Sequence, residues 1–247
     1  MLLFALRRPA EVRGKSVLIT GGSKGLGLLL AREFGRLGGR VVITARNDTE
    51  LWLARSRLSR WGVDVETRAV DVRDRAAMRA LIEELEAREG SIDYLVNNAG
   101  VIQVGPVAAL DVSDFEAALE TMFWGVVTPT LAAVEGMKRR RNGRIVNVTS
   151  VGGKVSFPHL LPYNAAKFAA VGFSEGLRAE LASHGVGVVT VVPGLMRTVP
   201  SSTPSSAVTS PASCGGLRSA LRCRSSRSAP STPPAASSKR RDTTRRS

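Results

Sequence analysis

Residues 17–27 read Val17-Leu18-Ile19-Thr20-Gly21-Gly22-Ser23-Lys24-Gly25-Leu26-Gly27, and the fold is decided here. A short apolar run rich in β-branched residues reads as a strand. A glycine-rich turn follows it, and Gly25–Leu37 then takes up helical periodicity. Working outward, the same alternation repeats. Val17–Thr20, Val41–Thr44, Val63–Val72, Ile92–Asn97, Ile145–Thr149 and Val186–Val192 read as six strands. Gly25–Leu37, Thr49–Trp61, Arg75–Arg88, Ser113–Arg139 and Tyr163–His184 read as the helices between them. Strands alternating with crossover helices require a parallel sheet with helices on both faces. The strand runs are nearly continuous in hydrophobicity, as a sheet buried on both sides demands. The expectation is an α/β, three-layer, doubly wound single domain over residues 1–199.

Composition narrows the function classes. The 247 residues suffice for one domain with a substantial core. No apolar run approaches the ~20 residues of a membrane helix, so no membrane span is expected. Leu2–Leu6 is short, and Arg7-Arg8 follows rather than precedes it, which does not fit a signal peptide. A cytoplasmic protein is expected. Cys214 and Cys223 lie in the final segment at a spacing that fits no zinc or redox motif, and no metal site is expected. The net charge is +14, but residues 200–247 hold nine Lys/Arg against one Asp, so the excess is largely theirs. That segment is rich in Ser, Pro and Arg, lacks aromatics and has no periodicity. It reads as a disordered basic tail.

The glycine turn carries chemistry. Its glycines let the backbone turn sharply and approach a pyrophosphate, while the helix N-terminus offers free N–H groups and a positive dipole end. The spacing is T-G-x-x-x-G-x-G rather than G-x-G-x-x-G. With the motifs that follow in order, it resembles the short-chain dehydrogenase/reductase family. Asp71-Val72 stands at the end of the third strand, Asn97-Asn98-Ala99-Gly100 at the fourth, and Ser150 at the fifth. Tyr163 and Lys167 form Y-x-x-x-K, and Pro193-Gly194-Leu195-Met196-Arg197-Thr198 matches P-G-x-x-x-T. The resemblance runs over about four-fifths of the chain.

The resemblance implies a Rossmann-type fold and a nicotinamide cofactor. It places the cofactor on Gly21, Ser23, Lys24, Gly25, Leu26, Gly27, Asp71, Val72, Asn98, Ala99, Gly100, Tyr163, Lys167 and Thr198. Asp71-Val72 would hold the adenine, Lys167 the nicotinamide ribose and Thr198 the carboxamide. The choice of cofactor is an electrostatic question. A carboxylate after the second strand would bind the adenosine ribose and repel a 2′-phosphate. Ala45 stands there instead, followed by Arg46, and Lys24 adds a cation within the loop. A guanidinium pairs a phosphate bidentately, so NADP(H) is expected.

Tyr163 and Lys167 are four residues apart on a helix and share a face. An ammonium beside a phenol favours the phenolate, which equips the tyrosine to donate or take a proton. Ser150, thirteen residues earlier, would polarise and orient a substrate carbonyl. The expected activity is hydride transfer between NADP(H) and a small-molecule carbonyl/alcohol pair, with Ser150, Tyr163 and Lys167 catalytic. A homo-oligomer is compatible with the resemblance. His159, in the loop before Tyr163, reads as a solvated histidine within reach of substrate, and His184 as a helix C-terminal cation.

Two departures from the family pattern stand out. Where the family has an asparagine thought to hold a proton-relay water, counting back from Gly125 reaches Met122, a weak acceptor and no donor. The neighbouring Thr121 is the polar alternative. Beyond Thr198, nothing in 200–247 resembles the family's substrate lid or seventh strand. Two origins stay open: a frameshifted reading of a lid, or a genuine basic appendage. Two other functions therefore compete with the enzyme: an NADP(H)-binding protein with impaired or no turnover, and a nucleic-acid binder acting through the tail. The second lacks aromatic interleaving and a recognisable module, so no specific nucleic acid is expected.

Overall fold

The computed structural model describes residues 12–194. Thr198 and the 200–247 segment lie outside the described residues. The elements in order are β1 (Ser16–Thr20), α1 (Gly25–Arg36), β2 (Arg40–Ala45), α2 (Asp48–Arg60), β3 (Val65–Ala69), α3 (Arg75–Glu89), β4 (Tyr94–Asn97), α4 (Val112–Leu119), α5 (Gly125–Arg140), β5 (Gly143–Val148), α6 (Leu161–Leu181) and β6 (Val186–Val191). All strand pairs are parallel, in the order β3-β2-β1-β4-β5-β6. The chain first winds outward from β1 to β3, then returns to β4 on the other side of β1. The loops leaving β1 and β4 therefore diverge, opening a crevice at the carboxyl ends of those strands.

Successive side chains on a strand point to opposite faces, and the core divides accordingly. Val17, Ile19, Val41 and Ile43 pack against Leu28 and Ala31 of α1 and Leu51, Ala54 and Leu58 of α2. On the other face, Leu18, Val42, Leu95 and Ile145 pack against Leu81, Ile82 and Leu85 of α3, Val134 and Met137 of α5, and Leu177 and Leu181 of α6. This is the three-layer Rossmann-type architecture that the alternation demands.

The differences from the sequence reading fall at the ends of elements. The run Val63–Val72 yields a strand of only five residues, because β2 is its neighbour and their register ends at Ala45↔Ala69. Asp71 then accepts the N–H of Arg73 at 3.0 Å, which turns the chain toward α3, capped by Asp74. Asp71-Val72 thus follows β3 rather than ending it. Ser150 likewise lies two residues past β5, where it caps a 3-10 turn, Val151–Gly153. The span Ser113–Arg139 forms α4 and α5 separated by one π-helical turn, Glu120–Trp124, closed by the Gly125 N–H on the Glu120 carbonyl. Val112–Arg140 as a whole is long and apolar enough to cross a membrane. Over half of it is buried, and α5 buries Val126, Val127, Ala133, Val134 and Met137 within the protein, as a core helix does.

Candidate active site

The turn after β1 is shaped by contact with the end of β4. Gly21 has φ +64°, and a β-carbon there would lie 2.8 Å from the Ala99 Cα. One on Gly27 would lie 2.2 Å from the Gly21 carbonyl oxygen. Asn98 donates through Nδ2 to the carbonyls of Thr20 (3.1 Å) and Gly21 (3.0 Å). The N–H groups of Asn98 and Ala99 donate to Thr20 Oγ1 at 3.0 and 3.2 Å. Asn98 therefore spends its amide donors on the turn and shapes the cradle. At Gly25 the need is different: φ is +57°, and a β-carbon would meet nothing within 4 Å. The backbone there is open to a close-lying group, and Lys24, the N-cap of α1, makes no side-chain cap bond to the helix. First-turn N–H groups left without a side-chain cap are what a phosphate needs. Leu26, half-buried, packs onto the core behind the turn.

The side of this crevice toward β2 carries Ser23, Lys24 and Arg46, with a residue that sequence reasoning missed. Glu50, in the first turn of α2, accepts from Ser23 Oγ and from Lys24 Nζ, each at 3.0 Å. Burial raises its carboxyl, but these hydrogen bonds and the charges of Lys24 and Arg46 outweigh it and hold Glu50 below the usual carboxylate range. The expectation of no carboxylate at the end of β2 holds for Ala45, yet a carboxylate from α2 reaches Ser23 and Lys24. Asp71 is also engaged: Arg73 donates to it from Nε and the terminal guanidinium nitrogen at 3.0 and 2.7 Å. Burial pushes the Asp71 carboxyl up and the Arg73 contacts bring it below its ordinary value. Val72 is buried against Gly125, where a β-carbon would sit 3.0 Å from Val72 Cγ2.

Tyr163 and Lys167 lie on α6, which starts two residues earlier than the sequence suggests, with Pro162 in its first turn. Tyr163 is thus in the first turn, where the helix dipole favours negative charge. Lys167 is 5% exposed. Its Nζ donates to the Val148 carbonyl at 3.0 Å and stands 5.8 Å from the Tyr163 ring centre. Burial pushes the amine down to about 8. Ser150 Oγ accepts the Gly152 N–H at 3.1 Å, which leaves its own hydrogen free to donate. The turn after Ser150 abuts α6 through glycines: a β-carbon on Gly152 would lie 3.0 Å from Tyr163 Cε1, and one on Gly153 2.6 Å from the Lys167 carbonyl oxygen. Ser150, Tyr163 and Lys167 are thereby brought together, and Gly100, at the end of β4, closes the group. A β-carbon on Gly100 would be 3.8 Å from both Lys167 Nζ and Met122 Sδ. Met122, in the π turn, therefore borders Gly100 on the side that Lys167 also borders. It is fully buried with Ala118 and Ala166 behind Tyr163. His159 has φ +65°, and its carbonyl accepts the Gly105 N–H at 2.9 Å, joining the two loops beside the site. His184 lies at the far end of α6, away from this group.

Beneath the site runs a chain of buried hydrogen bonds not read from the sequence. Asn97 Nδ2 donates to Asn147 Oδ1 (2.8 Å) and Thr130 Oγ1 (3.0 Å); Asn147 Nδ2 donates to Ser174 Oγ (3.0 Å), which pairs with Thr190 Oγ1 (2.7 Å). It ties β4, α5, β5, α6 and β6 at the level from which Gly100, Ser150 and Lys167 project. Polar residues inside strand runs are the one signal that could have found it. The glycine contacts make a further expectation testable. Gly152→Ala would press on both the Tyr163 ring and Asn164 Oδ1 at 3.0 Å, and if Tyr163 takes part in the reaction, misplacing it costs on the order of 10- to 100-fold. Turnover is expected to fall by that factor with cofactor affinity nearly unchanged, measured by steady-state kinetics and calorimetry. Wild-type turnover would contradict the contact's importance.

Comparison with known proteins gives consistent matches. A family model described as "short chain dehydrogenase" matches residues 15–207. A Streptomyces coelicolor protein provisionally named a ketoacyl reductase is 39% identical over 183 residues, covering 73% of this chain and 70% of that protein. A metagenomic short-chain oxidoreductase solved in complex with NADP superposes with TM-score 0.71 at 31% identity, covering 76% of this chain and 86% of that one. A gluconate 5-dehydrogenase from Burkholderia cenocepacia, solved with NADP and tartrate, gives TM-score 0.70 at 34% identity over 76% and 74% of the two chains.

Proposed function

The chain belongs to the short-chain dehydrogenase family, and from that premise we propose that it interconverts a carbonyl and a secondary alcohol using NADP(H), with Ser150, Tyr163 and Lys167 as the reacting and orienting groups. The observation that supports the reading is the packing of the Gly152-Gly153 turn, which Ser150 caps, on the Tyr163 ring and the Lys167 backbone of α6, with the Lys167 amine buried on the Val148 carbonyl. The residues of the β1–α1 turn fit a dinucleotide, since Gly25 leaves the helix N-terminus approachable and Gly21 and Gly27 admit no larger side chain. When bound there, the reduced nicotinamide supplies the hydride. Tyr163 donates its phenolic proton to the carbonyl oxygen as negative charge develops on it. Ser150, its oxygen already bonded by the Gly152 N–H, donates to the same oxygen and fixes its direction. A protonated Lys167 stabilises the phenolate left behind and, by the family resemblance, would hold the nicotinamide ribose. Alcohol oxidation runs these proton steps backward. Ile102, Val104, Val107 and Val155 are exposed on the loops that follow β4 and the Ser150 turn, which favours a carbonyl with an apolar flank.

The test is NADPH consumption with a panel of ketones, including β-ketoacyl thioesters, set against the same panel with NADH. Arg46 is exposed and its charge acts on Glu50, and Arg46→Asp replaces attraction of a 2′-phosphate with repulsion. The variant is expected to lose about 10- to 100-fold in NADPH affinity while NADH changes little, read by calorimetry. Equal affinities of the unaltered protein for the two cofactors would refute the NADP(H) assignment.

A further inference from the structure

The polar groups before α1 that would receive a 2′-phosphate are held by a carboxylate of the chain itself. Glu50 is fixed by α2, whose cap Asn47 accepts the Glu50 N–H at 3.0 Å. Its two oxygens divide between the buried Ser23 hydroxyl and the Lys24 ammonium, both at 3.0 Å. Arg46, four residues earlier, adds to the positive field on the same carboxyl. An anion whose separate oxygens accept from a hydroxyl and an ammonium, with a guanidinium nearby, reproduces the contacts a phosphate monoester makes. Yet Glu50 is not locked in place: its side chain is 32% exposed and that of Lys24 57%. It has the rotatable bonds and the solvent access to swing away.

We infer that Glu50 occupies the subsite for the adenosine 2′-phosphate, so that NADP(H) binds by displacing it from Ser23 and Lys24, and that Glu50 thereby sets the margin between NADP(H) and NAD(H). The inference rests on the NADP(H) reading given above. A displaced Glu50 stays tethered to α2, so its charge continues to oppose the phosphate that replaced it. NAD(H) carries a hydroxyl at this position and has no such contest: the hydroxyl can donate to Glu50 where it stands. Glu50 therefore acts as a negative specificity element, lowering affinity for the phosphorylated cofactor and sparing the other.

The experiment is calorimetric titration of the full chain, Glu50→Gln and Glu50→Ala with NADPH, NADH and 2′,5′-ADP at one ionic strength, with thermal melts to confirm folding. NADPH and 2′,5′-ADP are expected to bind about 3- to 10-fold tighter to both variants, with NADH unchanged or weaker. NADPH binding that is unchanged or weaker in both variants overturns the inference and makes Glu50 an organiser of Lys24. The unaltered protein separates this from the broader reading. If it prefers NADPH and the variants leave the ratio unmoved, the inference fails and the cofactor assignment stands. If it prefers NADH and the variants gain NADPH affinity, the subsite inference stands and the cofactor assignment fails.

Discussion

Replacing Tyr163 with phenylalanine is expected to lower NADPH-dependent carbonyl reduction by about 10²- to 10⁴-fold, the contribution of a positioned proton donor. The ring itself is held by packing: it lies against the cluster of Met122 and Ala166, and the Gly152 turn meets its ring carbons. Phenylalanine keeps those contacts, so the fold and the cofactor site should be retained, with NADPH affinity nearly intact by calorimetry. Ser150 would still orient the carbonyl, which predicts a small residual rate rather than none. Turnover close to the unaltered protein's would remove Tyr163 from the role of donor and leave the mechanism without one.

Lys167→Met is expected to abolish turnover and to stabilise the protein at neutral pH. The amine is nearly inaccessible, and its described bond is to one neutral carbonyl, so burial dominates and brings it down to about 8 from an ordinary 10.5. Below pH 8 both folded and unfolded states carry the proton, and the folded state bears the whole cost of burying the charge. As pH rises from 8 to 10.5 the folded protein has already released a proton that the unfolded chain still holds, so stability climbs through that window. The full difference corresponds to about 3 kcal/mol. Methionine has similar length and no charge, but leaves the Val148 carbonyl without its donor, which costs on the order of 1 kcal/mol. A net gain of about 1–2 kcal/mol in urea unfolding at pH 7 follows, shrinking or reversing by pH 10.5. A loss of stability at pH 7 would contradict it. Stability gained where activity is lost would identify Lys167 as a residue the fold tolerates for its chemistry.

The sheet was legible because its signals are local. β-branched runs and helical periodicity each lie within a dozen residues, and the glycine turn joins one of each in a single stretch. The errors fell where partners at a distance decide. β3 stops because β2 stops, and the long helix breaks at a π turn that sets Met122 beside the Lys167 amine. Ser150, Tyr163 and Lys167 could be named as candidates because Tyr163 and Lys167 are helical neighbours and Ser150 belongs to a spaced motif; their roles are the proposal made above. Glu50 could not be read: Ser23 and Lys24 are 27 and 26 residues away along the chain, and only the packing of α2 beside α1 brings them together. Asn147 and Ser174 escaped for the same reason, since a polar residue in a strand or helix announces no partner. Thr198 lies outside the described residues.

The largely buried chain Thr130–Asn97–Asn147–Ser174–Thr190 bears on how such a sequence can change over time. Its side chains sit on five different elements and bond to one another, although Asn97 Oδ1 is buried without a partner. Exchanging any one for an apolar residue strands a partner in the interior at about 1–3 kcal/mol, a large share of the ~5–15 kcal/mol that holds a domain together. A simultaneous exchange of the set could be almost neutral, but descent rarely takes five steps at once. The apolar residues of the 101–112 loop have no such mutual dependence and can be replaced singly. Single changes are therefore expected to be tolerated in that loop and resisted in this network.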